Sequence, residues 1–245
     1  MKTLLVVVFI LCAAFTKAQN YNVLLIPDSL TKNANAVKRF EELHVIIKDI
    51  GKAIVKHKYA ITILNESGDE YATYANSFDK LTPLSDISGH LYNAFGKSIK
   101  TVKKKDISNT SVDDGYSLLT DSRQKQYSFY CKTYPYTIEF EDEQELNGIY
   151  FLPHWQPVED ERFTVQQSRF IVETPANYKL RYKQFNYAGV PVINKNEKTT
   201  YTWQLLNKTA IDYEIFQPLV QEITTAVYIA PSEFEFGGYT GDMST

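Results

Sequence analysis

Residues 136–143 read YTIEFEDE, and the pattern of this stretch decides how the chain is expected to fold. Apolar and polar side chains alternate along it, with Tyr136, Ile138 and Phe140 on one side and Thr137, Glu139 and Glu141 on the other. Successive side chains of a β-strand point to opposite faces of its sheet. The alternation therefore predicts a strand that buries one face and exposes the other.

The same alternation recurs along most of the chain. Runs rich in β-branched and aromatic residues, bounded by Pro, Gly or Asn, occupy residues 42–50, 53–65, 124–134, 162–175, 178–187 and 198–207. Many strands with such boundaries favour stacked sheets over alternating βα units. We predict an all-β protein, a two-sheet β-sandwich of many short antiparallel strands with little helix.

Two segments are candidates for helix, residues 33–43 and residues 84–95. No change of composition marks an internal boundary, so residues 19–245 are predicted to form one domain. Two subdomains that divide near Pro157 are the alternative. The glycine-rich residues 235–245 are expected to be a flexible terminal segment or the beginning of a linker, because no helical pattern follows the glycines.

Residues 1–18 have the features of a secretory signal peptide: Lys2 near the start, an apolar run, and Ala18 before the expected cleavage site. The apolar run has about 12 residues, whereas a membrane-spanning helix needs about 20. We expect cleavage, export to the periplasm, the cell surface or the medium, and no membrane span afterwards. An uncleaved anchor and lipidation of Cys12 are the alternatives, and the bulky Leu11 argues against lipidation.

The charge balance argues against nucleic acid as a partner. The net charge is −3, whereas binding to a phosphate backbone requires a concentrated basic face. One lysine-rich segment, residues 97–106, is expected to be a solvated strand end, where lysines also discourage pairing between sheet edges.

Cys131 is the only cysteine outside the leader, so the mature domain can form no internal disulfide. It is expected to share a buried strand face with Tyr127 and Phe129, and an apolar setting keeps a thiol inert. A nucleophilic Cys131 is the alternative, because folding could bring a histidine close to it. No local pairing supports such a dyad, since the histidines stand on separate segments: His44, His57, His90 and His154.

Two carboxylate clusters, at residues 139–145 and 158–161, are expected to be solvated loops or strand edges. Calcium binds clustered oxygens, but the regular spacing of a helix–loop–helix calcium site is absent from both. The histidines lack zinc-ligand spacing, and phosphate-binding glycine loops and serine-nucleophile motifs are also absent. We assign no catalytic, cofactor-binding or metal-binding residue, and we expect no cofactor.

The two tryptophans have two interpretations. Trp155 and Trp203 could form a platform for a sugar or a peptide, but tryptophans of a sandwich more often fill its core. Trp203 alternates with Tyr201 and Leu205, while Trp155 lies between two prolines. We expect both tryptophans to be structural.

Several segments, taken in their order and spacing, resemble the DUF3857 family over roughly residues 35–245. They are AITILNESGDEYA (60–72), LYNAFGKSIKTVKKKDISN (91–109), YPYTIEFEDE (134–143), LPHWQPVED, TYTWQLLNKTAI and IAPSEFEFGGYTGDMST. The resemblance implies the N-terminal β-sandwich of exported bacterial proteins, notably from Bacteroidetes, which a transglutaminase-like, papain-related domain usually follows. It also implies that the catalytic triad lies in that following domain, so Cys131 does not correspond to the catalytic cysteine.

The expected function is therefore that of a non-catalytic exported accessory or binding module. Its expected partners are the adjoining transglutaminase-like domain or a peptide or glycan ligand. The alternative is that the chain is a fragment of a transglutaminase-like cysteine peptidase or amide-transferring enzyme, with the catalytic domain downstream of residue 245. A third interpretation is a purely structural piece whose exposed C-terminal strand docks on a partner.

Overall fold

The computed structural model describes residues 20–112, 121–212 and 214–243. The predicted signal peptide, residues 1–18, lies outside these residues together with Cys12, so cleavage and export stay predictions.

Strands make up 53% of the chain and helices 10%, which confirms the all-β class with little helix. Within the described residues, the strands are Ala36–Ile47 (β1), Lys52–Ile63 (β2), Thr73–Phe78 (β3), Leu84–Tyr92 (β4), Ser98–Thr101 (β5), Ser108–Ser111 (β6), Arg123–Ser128 (β7), Tyr136–Asn147 (β8), Phe163–Pro175 (β9), Arg181–Phe185 (β10), Val192–Lys195 (β11), Lys198–Lys208 (β12), Ala226–Ala230 (β13), Glu233–Phe236 (β14) and Tyr239–Asp242 (β15). The helical segments are the 3-10 turns Val23–Leu25, Glu66–Ala72 and Lys104–Asp106 and the α-helices Asp28–Thr31 (α1) and Val220–Ile223 (α2).

Eight strands form one large sheet in the order β11-β12-β9-β1-β2-β8-β4-β5. The sheet is mixed, because β1 pairs with β9 in parallel while its other strand pairs are antiparallel. Its five central strands are 11 to 13 residues long, which is longer than the short antiparallel strands expected from the sequence. Strands from both sides of Pro157 share this sheet, which argues against two subdomains that divide there.

Two smaller sheets, β3-β7-β6 and β10-β13, cover one face of the large sheet. Under the first, Phe140 of β8 stacks on Tyr74 of β3 with ring centroids 4.9 Å apart. Under the second, Phe170 of β9 packs between Trp155 and Trp203. The sandwich therefore has one continuous layer and one layer that is divided into two sheets, with an apolar cluster beneath each part.

The opposite face of the large sheet is apolar at one end, where Ile26 and Leu30 pack on Val37, and carries ion pairs along β2 and β8. The carboxylates of residues 139–145 lie along β8, as the alternation over residues 136–143 predicted; this is an inner strand of the sheet and not the loop or strand edge expected from the clustering of charges. Glu141, Glu143 and Glu145 point outward because side chains alternate along the strand. They form ion pairs with Lys58 at 3.1 Å, Lys56 at 2.8 Å and Lys52 at 2.7 Å, respectively.

Both helix candidates are wrong, because the two segments are strands of the large sheet. Residues 33–43 contribute the first half of β1, which is paired on both edges, with β2 and with β9. Residues 84–95 contribute β4, which pairs with β8. Hydrogen bonding to partners that are distant in sequence outweighs the local helical pattern in each case.

The lysine-rich segment agrees with the expectation of an exposed strand end. Its residues Ser98–Thr101 form β5, the edge strand of the large sheet, and all four residues are exposed. Lysines on such an edge discourage pairing with another chain.

The glycine-rich segment, by contrast, is a β-hairpin rather than an extended linker. β14 and β15 pair directly across Gly237 and Gly238, with φ of 60° and 84°. Two successive positive φ angles define a tight hairpin turn that glycine adopts without strain. The two glycines therefore allow the tight turn of this hairpin.

Candidate functional site

Cys131 does not lie in the middle of a strand as expected, because β7 ends at Ser128. The residue is half-buried at the margin of the first apolar cluster, and its thiol donates to the carbonyl of Thr133 at 3.6 Å. Phe129, which was expected on the same face, is buried at 4% exposure.

Three of the four histidines contact other residues, while the buried Nε2 of His44 has no hydrogen-bond partner among the described residues. His57 lies 3.2 Å from a carboxylate oxygen of Glu41, and His90 lies 3.2 Å from the hydroxyl of Thr101. His154 stacks on the ring of Tyr228, 4.9 Å between centroids. None of these contacts within the described residues joins a histidine to Cys131. The geometry thus gives no support to the Cys–His alternative.

A buried charge cluster lies between the two apolar clusters, on the covered face of the large sheet. Lys38 is 2% exposed, and its Nζ lies 2.9 Å from Oε1 of Glu41 and 3.0 Å from Oε1 of Glu159. The β1 bulge between Lys38 and Phe40 brings both Lys38 and Glu41 onto this covered face. Burial lowers the pKa of Lys38, but the two carboxylates outweigh it and raise that pKa above its ordinary value.

Glu41 is the centre of this cluster. Burial raises its pKa, but the charge of Lys38 and the contacts from His57 and Ser168 prevail and lower the pKa to about 2. Ser168 donates to Oε2 of Glu41 at 2.6 Å, and the indole N–H of Trp155 donates to the Ser168 hydroxyl at 2.7 Å. The carboxylate therefore remains ionised in the interior because its charge and its lone pairs are all matched.

Lysine, glutamate, histidine and serine side chains in one cluster invite comparison with a catalytic site. The central groups are closed to a substrate, since Ser168 is 0% exposed and Glu41 is 6% exposed, whereas the side chains of His57 and Glu159 at the margin are 32% and 43% exposed. The buried members form a hydrogen-bonded network between the two apolar clusters. Sequence reasoning missed it because Glu41 and Ser168 stand on different strands, 127 residues apart.

A second buried carboxylate, Asp142 of β8, is satisfied in the same way. It accepts hydrogen bonds from the Tyr74 hydroxyl at 2.7 Å and from the Asn76 amide at 3.1 Å, both on β3. Burial first, and then the charge of Asp142, raise the pKa of Tyr74. These bonds tie the small sheet β3-β7-β6 to the large sheet.

The acidic residues 158–161 disperse toward separate partners. Glu159 pairs with Lys38, Asp160 accepts from the Tyr71 hydroxyl at 3.3 Å, and Glu161 accepts from Gln217 at 2.6 Å. Within the described residues, no group of three His, Cys, Asp or Glu side chains is placed to hold a metal ion.

Both tryptophans are core residues, as the sequence interpretation favoured. Trp155 is 1% exposed and Trp203 is 0% exposed, so neither offers a platform to a sugar. The indole N–H of Trp203 donates to the side-chain oxygen of Gln184 at 2.8 Å. Burial with a satisfied N–H is the usual structural role of this side chain.

One group of exposed aromatic residues lies at the C-terminal hairpin. Tyr150, Phe151, Phe234 and Tyr239, with Thr240 and Gly241, line a cavity of about 470 Å³, which we call the aromatic cleft. Phe151 is 80% exposed and Tyr239 is 82% exposed. Contiguous exposed apolar surface of this kind marks a site of interaction with another molecule or domain.

Local sequence explains the shape of the aromatic cleft. Tyr150 packs edge-on against Phe151 at 4.7 Å and against Phe234 at 4.9 Å. A Cβ atom at position 241 would lie 2.7 Å from the ring of Phe234, so Gly241 lets that ring lie flat on β15. The sequence alone did not reveal this site, because its two halves are separated by more than 80 residues.

Among the described residues, no helix has the length and apolar character that crossing a bilayer requires.

Comparisons with known proteins agree with this architecture. The profile of DUF3857, a domain of unknown function with a solved structure, matches residues 50–211. No functionally curated protein matches the chain. The chain belongs to the DUF3857 family, as the segments quoted above suggested.

Two solved structures can be compared with this fold. A putative protease from Parabacteroides distasonis has a TM-score of 0.68 at 12% identity, over 80% of this chain. The chain spans only 40% of the length of that protein. An aminopeptidase A from Legionella pneumophila, in complex with aspartic acid, has a TM-score of 0.42 at 10% identity, over 82% of this chain and 22% of its own.

Proposed function

We propose that this chain is a non-catalytic exported accessory module that packs against a transglutaminase-like domain through the aromatic cleft. The family membership supports an accessory role, and the same fold occurs as part of a longer chain described as a putative protease. Export rests on the signal-peptide features of residues 1–18.

The observation that carries the proposal is the aromatic cleft. Phe151 and Tyr239 expose most of their surface, although a folded chain gains about 1.5–3 kcal/mol by burying one such side chain. A neighbouring domain that covered the cleft would recover that free energy. A peptide or glycan that filled the cleft is the competing occupant, and the binding experiment below distinguishes it.

The absence of catalysis is supported by the surroundings of the reactive groups. The thiol of Cys131 is hydrogen-bonded to a backbone carbonyl, and the Lys38–Glu41 cluster is closed to substrate. A purified protein of residues 19–245 should therefore neither hydrolyse peptides nor incorporate amines. Turnover that disappears in the Cys131→Ala variant would contradict the proposal.

The docking experiment uses the transglutaminase-like domain that we expect in the same reading frame. Calorimetric titration of that separate domain with the module should give measurable binding. The double variant Phe151→Ser/Tyr239→Ser should weaken this binding at least about 100-fold, since each aromatic contributes about 1.5–3 kcal/mol on burial. The matched control is Phe95→Ser, which removes a 75% exposed aromatic outside the cleft and should leave the affinity unchanged.

Three results would count against this function. They are a reading frame without a transglutaminase-like domain, a double variant that binds as tightly as the unmodified module, and a peptide or glycan that competes for the free cleft. Export is tested separately, because the mature protein recovered from outside the cytoplasm should begin at Gln19 by mass spectrometry.

A further inference from the structure

A second cleft opens between the small sheet β3-β7-β6 and an edge of the large sheet, beside a distortion in β4. The pairing of β4 with β8 shifts between Ser85 and Ser88, and Asp86 has a φ of 50°. Aspartate tolerates this left-handed conformation better than most residues. On its other edge β4 pairs with β5 only at His90–Tyr92. Within the described residues, no strand therefore pairs with that edge of Leu84–Ser88.

The cleft beside this edge, which we call the lysine cleft, has a volume of about 440 Å³. Ligand sites in proteins have volumes of about 300–1,000 Å³ and combine apolar walls with a few polar groups. The lysine cleft fits that description, since its walls come from β4, β6, β7 and the turn before β6. It is lined by Leu84, Ile87, Ile107, Ser85, Asp86, Asn109, Lys104 and Lys125.

Lys125 places a cation with few hydrogen-bond partners in the wall of the lysine cleft. Its Nζ donates to the carbonyl of Leu84 at 2.9 Å and lies 5.2 Å from the ring centroid of Phe78. An ammonium group has three N–H donors, and Leu84 is its one hydrogen-bond acceptor in the described part of the chain. No carboxylate of the described residues lies within ion-pair distance of it. Burial, and then the charge of Lys104, lower the pKa of Lys125, and the charge of Asp142 partly offsets this.

Lys104 is exposed and Lys125 is half-buried, and their charges repel each other, so an anion placed between them is favoured. A carboxylate is the anion that suits ammonium donors at the wall of a partly apolar cleft. The apolar side chains Leu84, Ile87 and Ile107 offer room for a hydrocarbon group beside it. Asp86, on the same wall, can accept a hydrogen bond from an amide N–H.

We propose that the lysine cleft binds the carboxylate-terminated end of a peptide, with the carboxylate between Lys104 and Lys125 and the last side chain against Leu84, Ile87 and Ile107. Asp86 would accept the N–H of the last peptide bond. The site shares no residue with the aromatic cleft. Either proposal can therefore fail while the other holds.

The probe is N-acetyl-L-leucine, which carries an apolar side chain, an amide N–H and a carboxylate. Titration of the isotope-labelled mature protein, followed by amide NMR shifts, should move the signals of residues 84–87, 107–109 and 125. N-acetyl-L-leucinamide lacks only the charge, and it should bind at least about tenfold more weakly, because charge-assisted bonds are about twice as strong as neutral ones. This comparison needs no variant and so does not depend on whether a substituted protein folds.

Variants then test whether Lys125 is the cation that binds the carboxylate of the probe. Lys125→Met should weaken binding of the acid about tenfold, and Lys125→Arg should largely retain it. Lys48→Met, which removes an exposed lysine at the β1–β2 turn, is the matched control and should change nothing. Equal affinity for acid and amide, shifts outside the lysine cleft, or no shifts up to the solubility limit of the probe would each overturn the proposal.

Discussion

Replacing Lys38 with methionine tests the account of the buried charge cluster. The variant keeps the hydrocarbon volume of the side chain but leaves the carboxylate of Glu41, at 6% exposure, without its cation. Breaking a buried ion pair from one side costs about 3–5 kcal/mol, because the remaining charge stays in the interior without compensation. Glu159 contributes little to this cost, since its side chain is 43% exposed and can turn to water.

The pKa of Glu41 shows how much the ionised carboxylate contributes to the free energy of unfolding. Its fall from the ordinary 4.5 to about 2 corresponds to about 3 kcal/mol of stability, at 1.36 kcal/mol per pH unit. Because the folded pKa lies below the unfolded one, this contribution is present above pH 4.5 and is lost as the pH falls toward 2. The shift combines the effects of burial, His57 and Ser168 with that of Lys38, so it gives the stabilisation of ionised Glu41 as a whole and not that of the Lys38 pair alone.

Urea unfolding, followed by tryptophan fluorescence, measures the effect directly. At pH 7 Lys38→Met should lose about 3–5 kcal/mol with an unchanged dependence on urea concentration. The difference from the unmodified protein should shrink as the pH falls from 5 to 2, since protonated Glu41 no longer needs the cation. The control is Lys52→Met in the exposed pair with Glu145, which should cost less than about 1 kcal/mol. A loss below about 1 kcal/mol for Lys38→Met, or one independent of pH, would refute the reasoning.

Three further substitutions test the packing, each by urea unfolding. Gly89→Ala should cost about 1–3 kcal/mol, since its Cβ would lie 2.6 and 2.7 Å from two core side chains; Gly51→Ala, where the nearest contact is 3.4 Å, is its control and should be nearly neutral. Trp155→Phe should cost about 1–3 kcal/mol by leaving the Ser168 hydroxyl without its buried donor, and an unchanged midpoint would contradict that role. Cys131→Ser should change stability by less than about 1 kcal/mol because the thiol is half-buried, so a larger loss would indicate a core position.

The sequence predicted individual strands well where alternation was clean. Tyr136, Ile138 and Phe140 are all buried, as the pattern of YTIEFEDE required. The same pattern continues beyond Phe140, where Glu141 and Glu143 face outward and Asp142 faces inward. The expectation of a solvated loop or strand edge for these carboxylates missed the burial of Asp142, because a count of carboxylates ignores the face on which each one lies.

The candidate sites could not be predicted in the same way. The aromatic cleft joins Phe151 to Tyr239, and the lysine cleft joins Asp86 to Lys125. No local spacing relates such residues, and chain folding alone makes them neighbours. The two helix candidates failed for the same reason, since hydrogen bonding to β2, β9 and β8 overrode a weak local preference.

By itself, the sequence determined that the chain is built from strands and which of their side chains face the interior, because both follow from alternation between adjacent residues. The tertiary structure decided which strands are neighbours, including the parallel pairing of β1 with β9. It also decided that Lys38, Glu41 and Ser168 share one buried network and that aromatic and lysine-lined clefts open at the surface. These features depend on contacts between residues far apart in the chain. Such contacts form only when the whole core is buried.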